Sequence, residues 1–257
     1  MNEKSDATPT GPLLAPGDLI TALGLLSRLP LPVIDGTRAA QAAWAYPLAG
    51  CVLGVLAAIL GALITGLGLP PAIVALVVLA AMVMLTGAMH EDGLADTADG
   101  LWGGWDRGAR LEIMRDSRIG TYGVIALMLS LAARWLALWM LFEAGLWAAT
   151  AGLIASAALS RATMPVVMYA LPHARTDGLS HRVGRVAGAT AGVGIGIGVM
   201  AALICLGVGA IPAACAAVVA ASTVAMIAKR KIGGQTGDIL GASQQLCEIA
   251  VLFALVT

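Results

Sequence analysis

HEDGLADTADGLWGGWDRGARLEIMRDSRIGTYG, residues His90–Gly123, interrupts an otherwise apolar chain. Seven of the fifteen Asp and Glu residues fall within it: Glu91, Asp92, Asp96, Asp99, Asp106, Glu112 and Asp116. So do Arg107, Arg110, Arg115 and Arg118. On a helix, Asp92, Asp96 and Asp99 stand at i, i+4 and i+7, within roughly 60° of arc. Three like charges on one stripe repel, which suits a merely solvated face poorly. A divalent cation relieves that conflict, and hard carboxylate oxygens suit Mg²⁺ or Mn²⁺. The blander reading is a charged loop where the chain leaves a membrane. The shared helical face, the small residues Gly93, Ala95, Ala98 and Gly100, and the arginines that follow favour a metal-dependent site.

The rest of the chain sets the fold class. Of 257 residues, 59% are hydrophobic and 12% charged. With mean hydropathy +0.90, this is an all-α, polytopic integral membrane bundle, not a soluble domain. Residues 1–16 are polar and lack a signal-peptide pattern, so a disordered tail is expected, with a single transmembrane domain over 17–257. Asp18–Leu29 is apolar but too short to span, and Pro30 and Pro32 end it; an interfacial or re-entrant helix fits. About seven spans follow, near 47–67, 72–89, 122–141, 146–169, 186–208, 213–228 and 239–256. The glycines, thirty-two in all, let such helices pack closely. Cys51, Cys205, Cys215 and Cys247 lack metal-ligand spacing and read as small apolar filler.

Thirteen of the fifteen Lys and Arg residues lie in the tail, the 28–38 connection and the loops near 90–121, 171–186 and 229–238. The connections near Gly68, Glu143 and Ala210 carry none. The positive-inside rule therefore places the N-terminus and those three loops in the cytoplasm. Arg134 and Arg161 lie within spans, where arginines face a bundle interior or snorkel; Arg161 is the better candidate for a substrate cavity. Net charge is zero, and no nucleic-acid partner is expected.

The motifs define a chemistry. Arg115–Gly123, RDSRIGTYG, joins Arg115 and Arg118 to Ser117, Thr121 and a Gly-flanked helix start. Arginine forks grip phosphate oxygens bidentately, and helix N-termini favour anions. Gly233–Asp238, GGQTGD, precedes another helix and adds the Asp238 carboxylate. Beside an acidic stripe, these suit a diphosphate substrate and metal-assisted phosphoryl or nucleotidyl transfer. A divalent-cation transporter is the contrasting reading, but the acids gather at one face and only Glu248 sits within a span.

These segments also resemble a known family. HEDGLADTADG (His90–Gly100), EIMRDSRIGTYG (Glu112–Gly123) and GGQTGDILGASQQ (Gly233–Gln245) are similar to those of the cobalamin-5′-phosphate synthase (adenosylcobinamide-GDP ribazoletransferase) family. SRLPLP (Ser27–Pro32), AWAYPLAG (Ala43–Gly50) and ARTDGLS (Ala174–Ser180) extend the resemblance nearly end to end. It implies a bacterial inner-membrane enzyme using Mg²⁺. Such an enzyme joins adenosylcobinamide-GDP to α-ribazole or its 5′-phosphate and releases GMP. It also leaves room for a homo-oligomer and for association with other cobalamin-synthesis enzymes. Arg175, from ARTDGLS, and Asp238 and Gln244, from the last motif, join Arg115, Ser117, Arg118, Thr121 and Arg161 as candidate substrate-binding residues.

The family is often compared with CDP-alcohol phosphotransferases, and a CDP-alcohol-phosphotransferase-like bundle is the expected architecture. Asp96, Asp99 and Gly100 match the first half of that motif, although Gly103–Gly104 replace its Ala-Arg. Gly108, Glu112 and Asp116 match the second half, with one Glu for Asp and a shortened spacer. Two ligand sets therefore stay open: Asp92, Asp96 and Asp99, or Asp96, Asp99, Glu112 and Asp116, with Glu91 a further neighbour. Asp92 or Asp116 would accept the proton of the attacking ribazole 3′-hydroxyl. A lipid or small-alcohol phosphotransferase is the alternative within this chemistry.

Overall fold

The computed structural model describes residues 12–32 and 36–257. Eleven α-helices account for most of them: α1 (Asp18–Leu26), α2 (Tyr46–Gly66), α3 (Pro71–Thr86), α4 (Met89–Gly103), α5 (Arg107–Ile113), α6 (Thr121–Ala144), α7 (Leu146–Ala170), α8 (Gly178–Val183), α9 (Gly188–Leu206), α10 (Ala210–Ile232) and α11 (Gly237–Val256). Five stretches are long and apolar enough to cross a membrane, or six when the bent pair α3–α4 counts as one. The chain is a multi-pass helical membrane protein. All four cysteines are free.

α7 is the central helix, with 89% of its most apolar stretch buried. Its Ala- and Ser-rich surface lets neighbours come close, as small residues do in lipid, where dispersion contacts replace a hydrophobic driving force. A Cβ on Gly54 of α2 would lie 2.7 Å from Ile154 Cα, so glycine is what admits this contact. On the outer helices, Leu63, Leu76, Met128, Leu129, Ile204 and Val219 face outward and are exposed, as a lipid-facing belt requires.

The stretch Gly188–Ile232 spans 45 residues, about 68 Å if straight and roughly twice a hydrocarbon core. It is not straight. Gly207 has φ +56°, and a 3₁₀ turn follows at Gly207–Gly209. α9 runs along α7, with Gly188 beside Tyr169 and Gly198 beside Ala162. α10 returns along α11, where Cys247 Sγ donates to the Ala217 carbonyl at 3.3 Å.

Two further features position the site. Gly87 (φ +63°) and Ala88 (φ +56°) turn α4 by 86° away from α3, which carries the acidic stretch out of the apolar spans. It forms two helices in place of a long open loop, and α4 packs on α6 and α11. Meanwhile Ala174 N–H donates to the Gln235 carbonyl (2.9 Å) and Gln235 N–H to the Pro172 carbonyl (2.8 Å). That bridge ties the α7–α8 connection to the α10–α11 turn. Residues 1–11 of the expected tail lie outside the described residues. Further along, the Pro12 carbonyl accepts from Arg38, and Ala15 N–H donates to the buried Asp18 carboxylate.

Candidate active site

α4 sends its acids in three directions. Glu91 turns into the bundle, where its Oε1 accepts from Arg134 Nη1 at 2.7 Å and from Gln245 Nε2 at 3.1 Å. Asp99 turns to the start of α6: its Oδ2 accepts from Gly120 N–H at 2.7 Å and its Oδ1 from Gly123 N–H at 2.9 Å. A carboxylate there satisfies two orphan donors and complements the helix dipole. A Cβ on Gly120 would sit 2.5 Å from Asp99 Oδ1, so the glycines of GTYG admit the carboxylate. Asp92 and Asp96 stay on the open face, exposed and half-buried respectively.

Three hollows join along that face. One of about 440 Å³ is lined by Asp92, Asp96, Arg115, Asp116 and Ser117. A second of about 510 Å³ lies between Glu112, Arg115 and Arg175. A third of about 210 Å³ runs inward among apolar side chains, with His90, Asp92, Arg175 and Asp238 on its wall. Asp92, Arg115 and Arg175 each border two of them, so the three form one groove.

The groove brings acid and base together. Arg175 Nη2 lies 3.3 Å from Asp238 Oδ2, while its Nη1 is buried without a partner. Arg115 reaches Asp177 at 2.9 Å and is largely exposed. Burial, then the carboxylates of Asp92, Asp238 and Asp99, push the Asp96 carboxyl up to about 7, with Arg175 opposing. An uncomfortable carboxylate beside free guanidinium donors is a site for cationic and anionic groups together.

Other candidates sit elsewhere. Arg118 pairs with Asp116 at 2.6 Å and also donates its N–H to it, so each occupies the other. Thr121 is the exposed first residue of α6. Arg161 and Gln244 are fully buried; Arg161 Nη1 donates to the Ala157 carbonyl, and Gln244 Nε2 donates to Ser160 Oγ and Glu248 Oε2. Neither lines the groove. With Asp99 and Asp116 turned to other partners, the two-helix set Asp96, Asp99, Glu112 and Asp116 does not converge. Among the described residues no three His, Cys, Asp or Glu side chains are grouped to hold an ion.

The inward hollow also holds residues outside the candidate set: Tyr46, Ser180 and His90. His90 and Gly93, three apart on α4, both face Gly241 of α11. That i, i+3 pairing is the signal the sequence offers.

Residues 18–256 match the model of the cobalamin-5-phosphate synthase family. The chain belongs to that family. The match begins at the first residue of α1 and ends at the last of α11, so the whole groove lies within it. Similar curated proteins include an adenosylcobinamide-GDP ribazoletransferase of Bradyrhizobium diazoefficiens, 45% identical over 91% of each chain. Another of the same name, from Mesorhizobium japonicum, is 44% identical over 91% of each chain. A third, from Sinorhizobium medicae, is 42% identical over 93% of this chain and 95% of its own. No solved structure matches. In this family member, Asp92 borders both the hollow that carries Arg115 and the inward one that carries Arg175 and Asp238.

Proposed function

We propose that this chain joins adenosylcobinamide-GDP to α-ribazole or its 5′-phosphate and releases GMP, completing the nucleotide loop of cobalamin. The observation that carries the reading is Asp92, which borders both the carboxylate–arginine groove and the apolar cavity. A reaction between a diphosphate and a nucleoside hydroxyl needs such a junction.

The diphosphate lies along Arg115 and Arg175, whose forks take phosphate oxygens bidentately. The ribose hydroxyl enters from the Asp92 side and forms a new P–O bond to the cobinamide-side phosphorus. Its proton passes to the Asp92 carboxylate, and the bond from that phosphorus to the GMP bridging oxygen breaks. Positioning and fixed charge supply most of the rate. Asp96 fits Mg²⁺, which binds through one or two carboxylates plus substrate phosphates and needs no three-acid cage, and this leaves Asp92 free for the proton; the raised Asp96 carboxyl is the strain that a cation relieves. When bound, the ion would neutralise charge on the diphosphate.

Seven crossings, by α2, α3, α6, α7, α9, α10 and α11, put the loops bearing Arg115, Arg175 and Gly233–Asp238 on one side. Charge asymmetry makes that side the cytoplasm, and the bacterial relatives support an inner membrane. The test is GMP release by membranes supplied with adenosylcobinamide-GDP and α-ribazole. Release should need both substrates and Mg²⁺ and vanish in Asp96→Asn. GMP release that ignores ribazole, or turnover of a CDP-alcohol instead, would overturn the reading.

A further inference from the structure

α4 has a second face. Leu94, Thr97, Ala98 and Leu101 stand on it at i, i+3, i+4 and i+7. Leu94 and Ala98 each follow a carboxylate, Asp92 or Asp96, by two residues, about 200° of arc. The carboxylates therefore face the groove of the candidate active site while this stripe faces away from it. With α11, the stripe floors a separate hollow of about 230 Å³, flanked by Ala126 of α6 and by Val224 and Ile227 of α10. Its lining is apolar apart from the Thr97 hydroxyl and the Trp102 indole. Trp102 and Leu246 stay exposed at its opening. Ala126 lies about 8 Å from the start of α6 and Val224 about 12 Å from the end of α10. Both depths fall short of half a hydrocarbon core, so the groove sits within one leaflet.

The end of this groove nearest the membrane surface is basic. Val224, Ile227 and Lys231 stand at i, i+3 and i+7 on α10, so Lys231 ends the groove-lining stripe. Its Nζ lies 4.6 Å from the Trp102 ring centroid and donates to the Leu101 carbonyl at 2.6 Å. An ammonium has three donors, so two remain. Lys229 and Arg230 beside it are exposed. Among the described residues, none of the three forms an ion pair. Cations at a helix C-terminus often only complement its dipole. Here Arg110 Nη1 and Arg107 Nε already donate to the Lys231 and Ile232 carbonyls, so the three charges exceed what the cap requires. We propose that this lateral groove holds an anionic phospholipid of the bilayer, one acyl chain along the α4 stripe and the phosphate at Lys231 and Arg230. Basic pockets between membrane helices bind anionic head groups in this way. A zwitterionic head brings its own ammonium against the same cations, which offsets the attraction. A chain seated there packs the back of the helix whose front carries Asp92 and Asp96. The proposal does not depend on the ribazole-transfer reading.

The test titrates the delipidated full chain in detergent with phosphatidylglycerol or with phosphatidylcholine of the same acyl chains. Bound lipid is counted by native mass spectrometry. Wild type should bind phosphatidylglycerol at least about fivefold more tightly, as one basic residue near an anionic head group contributes. Arg230→Gln, an exposed change, should weaken phosphatidylglycerol about fivefold, leave phosphatidylcholine unchanged and keep the thermal unfolding of wild type. Arg230→Gln with Lys231→Gln should erase the preference. Ala126→Phe narrows the groove from α6 without touching a charge and should weaken both lipids. Inorganic phosphate at millimolar concentration should displace neither. Equal affinity of wild type for the two lipids overturns the proposal, as does a preference that survives the double substitution. Binding that Ala126→Phe leaves unchanged puts the lipid elsewhere, and displacement by phosphate makes the basic cluster a site for free anions; either result also overturns it.

Discussion

Asp96 and Asp99 stand three residues apart on α4 and serve different ends. Both Asp99 oxygens accept backbone N–H groups of α6, so Asp99→Ala should cost about 1–2 kcal/mol, as loss of a helix cap does. Asp96 is held against its neighbours. Its carboxyl titrates near 7 in the folded protein against 3.8 for a free side chain. The folded state therefore holds this proton more tightly than the unfolded chain. Without metal, stability is fully present below about pH 4 and is lost as pH rises through about 7. Thermal unfolding of the metal-free protein should show that slope, and Asp96→Asn should flatten it while abolishing transfer. A variant with the same slope as wild type would remove Asp96 from the account. The arginines divide similarly. Arg175 has an unpartnered buried nitrogen and Arg115 borders two hollows, whereas Arg118 is spent on Asp116. Lysine at 115 or 175 should lower kcat/KM by more than about tenfold, because a point charge cannot replace a planar fork. Lysine at 118 should change it little, and steady-state kinetics of the three variants decides.

At the scale of helices, a buried charged cluster joins α4, α6, α7 and α11. Arg134 lies 2.7 Å from Glu91 and 3.0 Å from Glu248, and Arg161 lies 3.8 Å from Glu248. Gln245 bonds Glu91 and Gln244, and Ser130 donates to Gln245. The two arginines and two glutamates balance in charge, which is what makes their burial tolerable. Through Glu91 the cluster fixes the first turn of α4, and hence the direction in which Asp92 and Asp96 face. Arg134→Met leaves the buried Glu91 carboxylate uncompensated, with Arg161 still facing Glu248, and should cost roughly 3–5 kcal/mol. Adding Glu91→Gln removes that charge, leaves Arg161 against Glu248, and should restore much of the folded protein. Membrane abundance and thermal unfolding in detergent measure both steps; no rescue would mean that packing, not charge, is what Arg134 supplies. The helices were themselves legible. The expected spans near 47–67, 146–169 and 239–256 correspond to Tyr46–Gly66, Leu146–Ala170 and Gly237–Val256, because apolar runs and Gly-Pro punctuation are local signals.

For the whole molecule, the single span α6 sets the α4–α5 turn and the α6–α7 turn on opposite sides. A cysteine introduced at Asp106, in a background free of native cysteines, should resist periplasmic labelling in intact cells. One introduced at Gly145 should be labelled. The reverse pattern would invert the molecule and move the groove out of the cytoplasm. By itself the sequence determined the membrane class, the helices, the helical stripe of acids and the segments that carry the family resemblance. The first three depend on periodicity and composition within short windows and the resemblance on matching residues in local motifs, all of which the chain displays before it folds. Only the tertiary structure decided what each face of α4 meets. Glu91 meets Arg134, 43 positions away, Asp99 meets the N-terminus of α6, and His90 borders a hollow walled by six helices. A helical stripe says that carboxylates point one way, but a partner arriving from elsewhere in the chain settles whether each becomes a cap, an ion pair or a ligand.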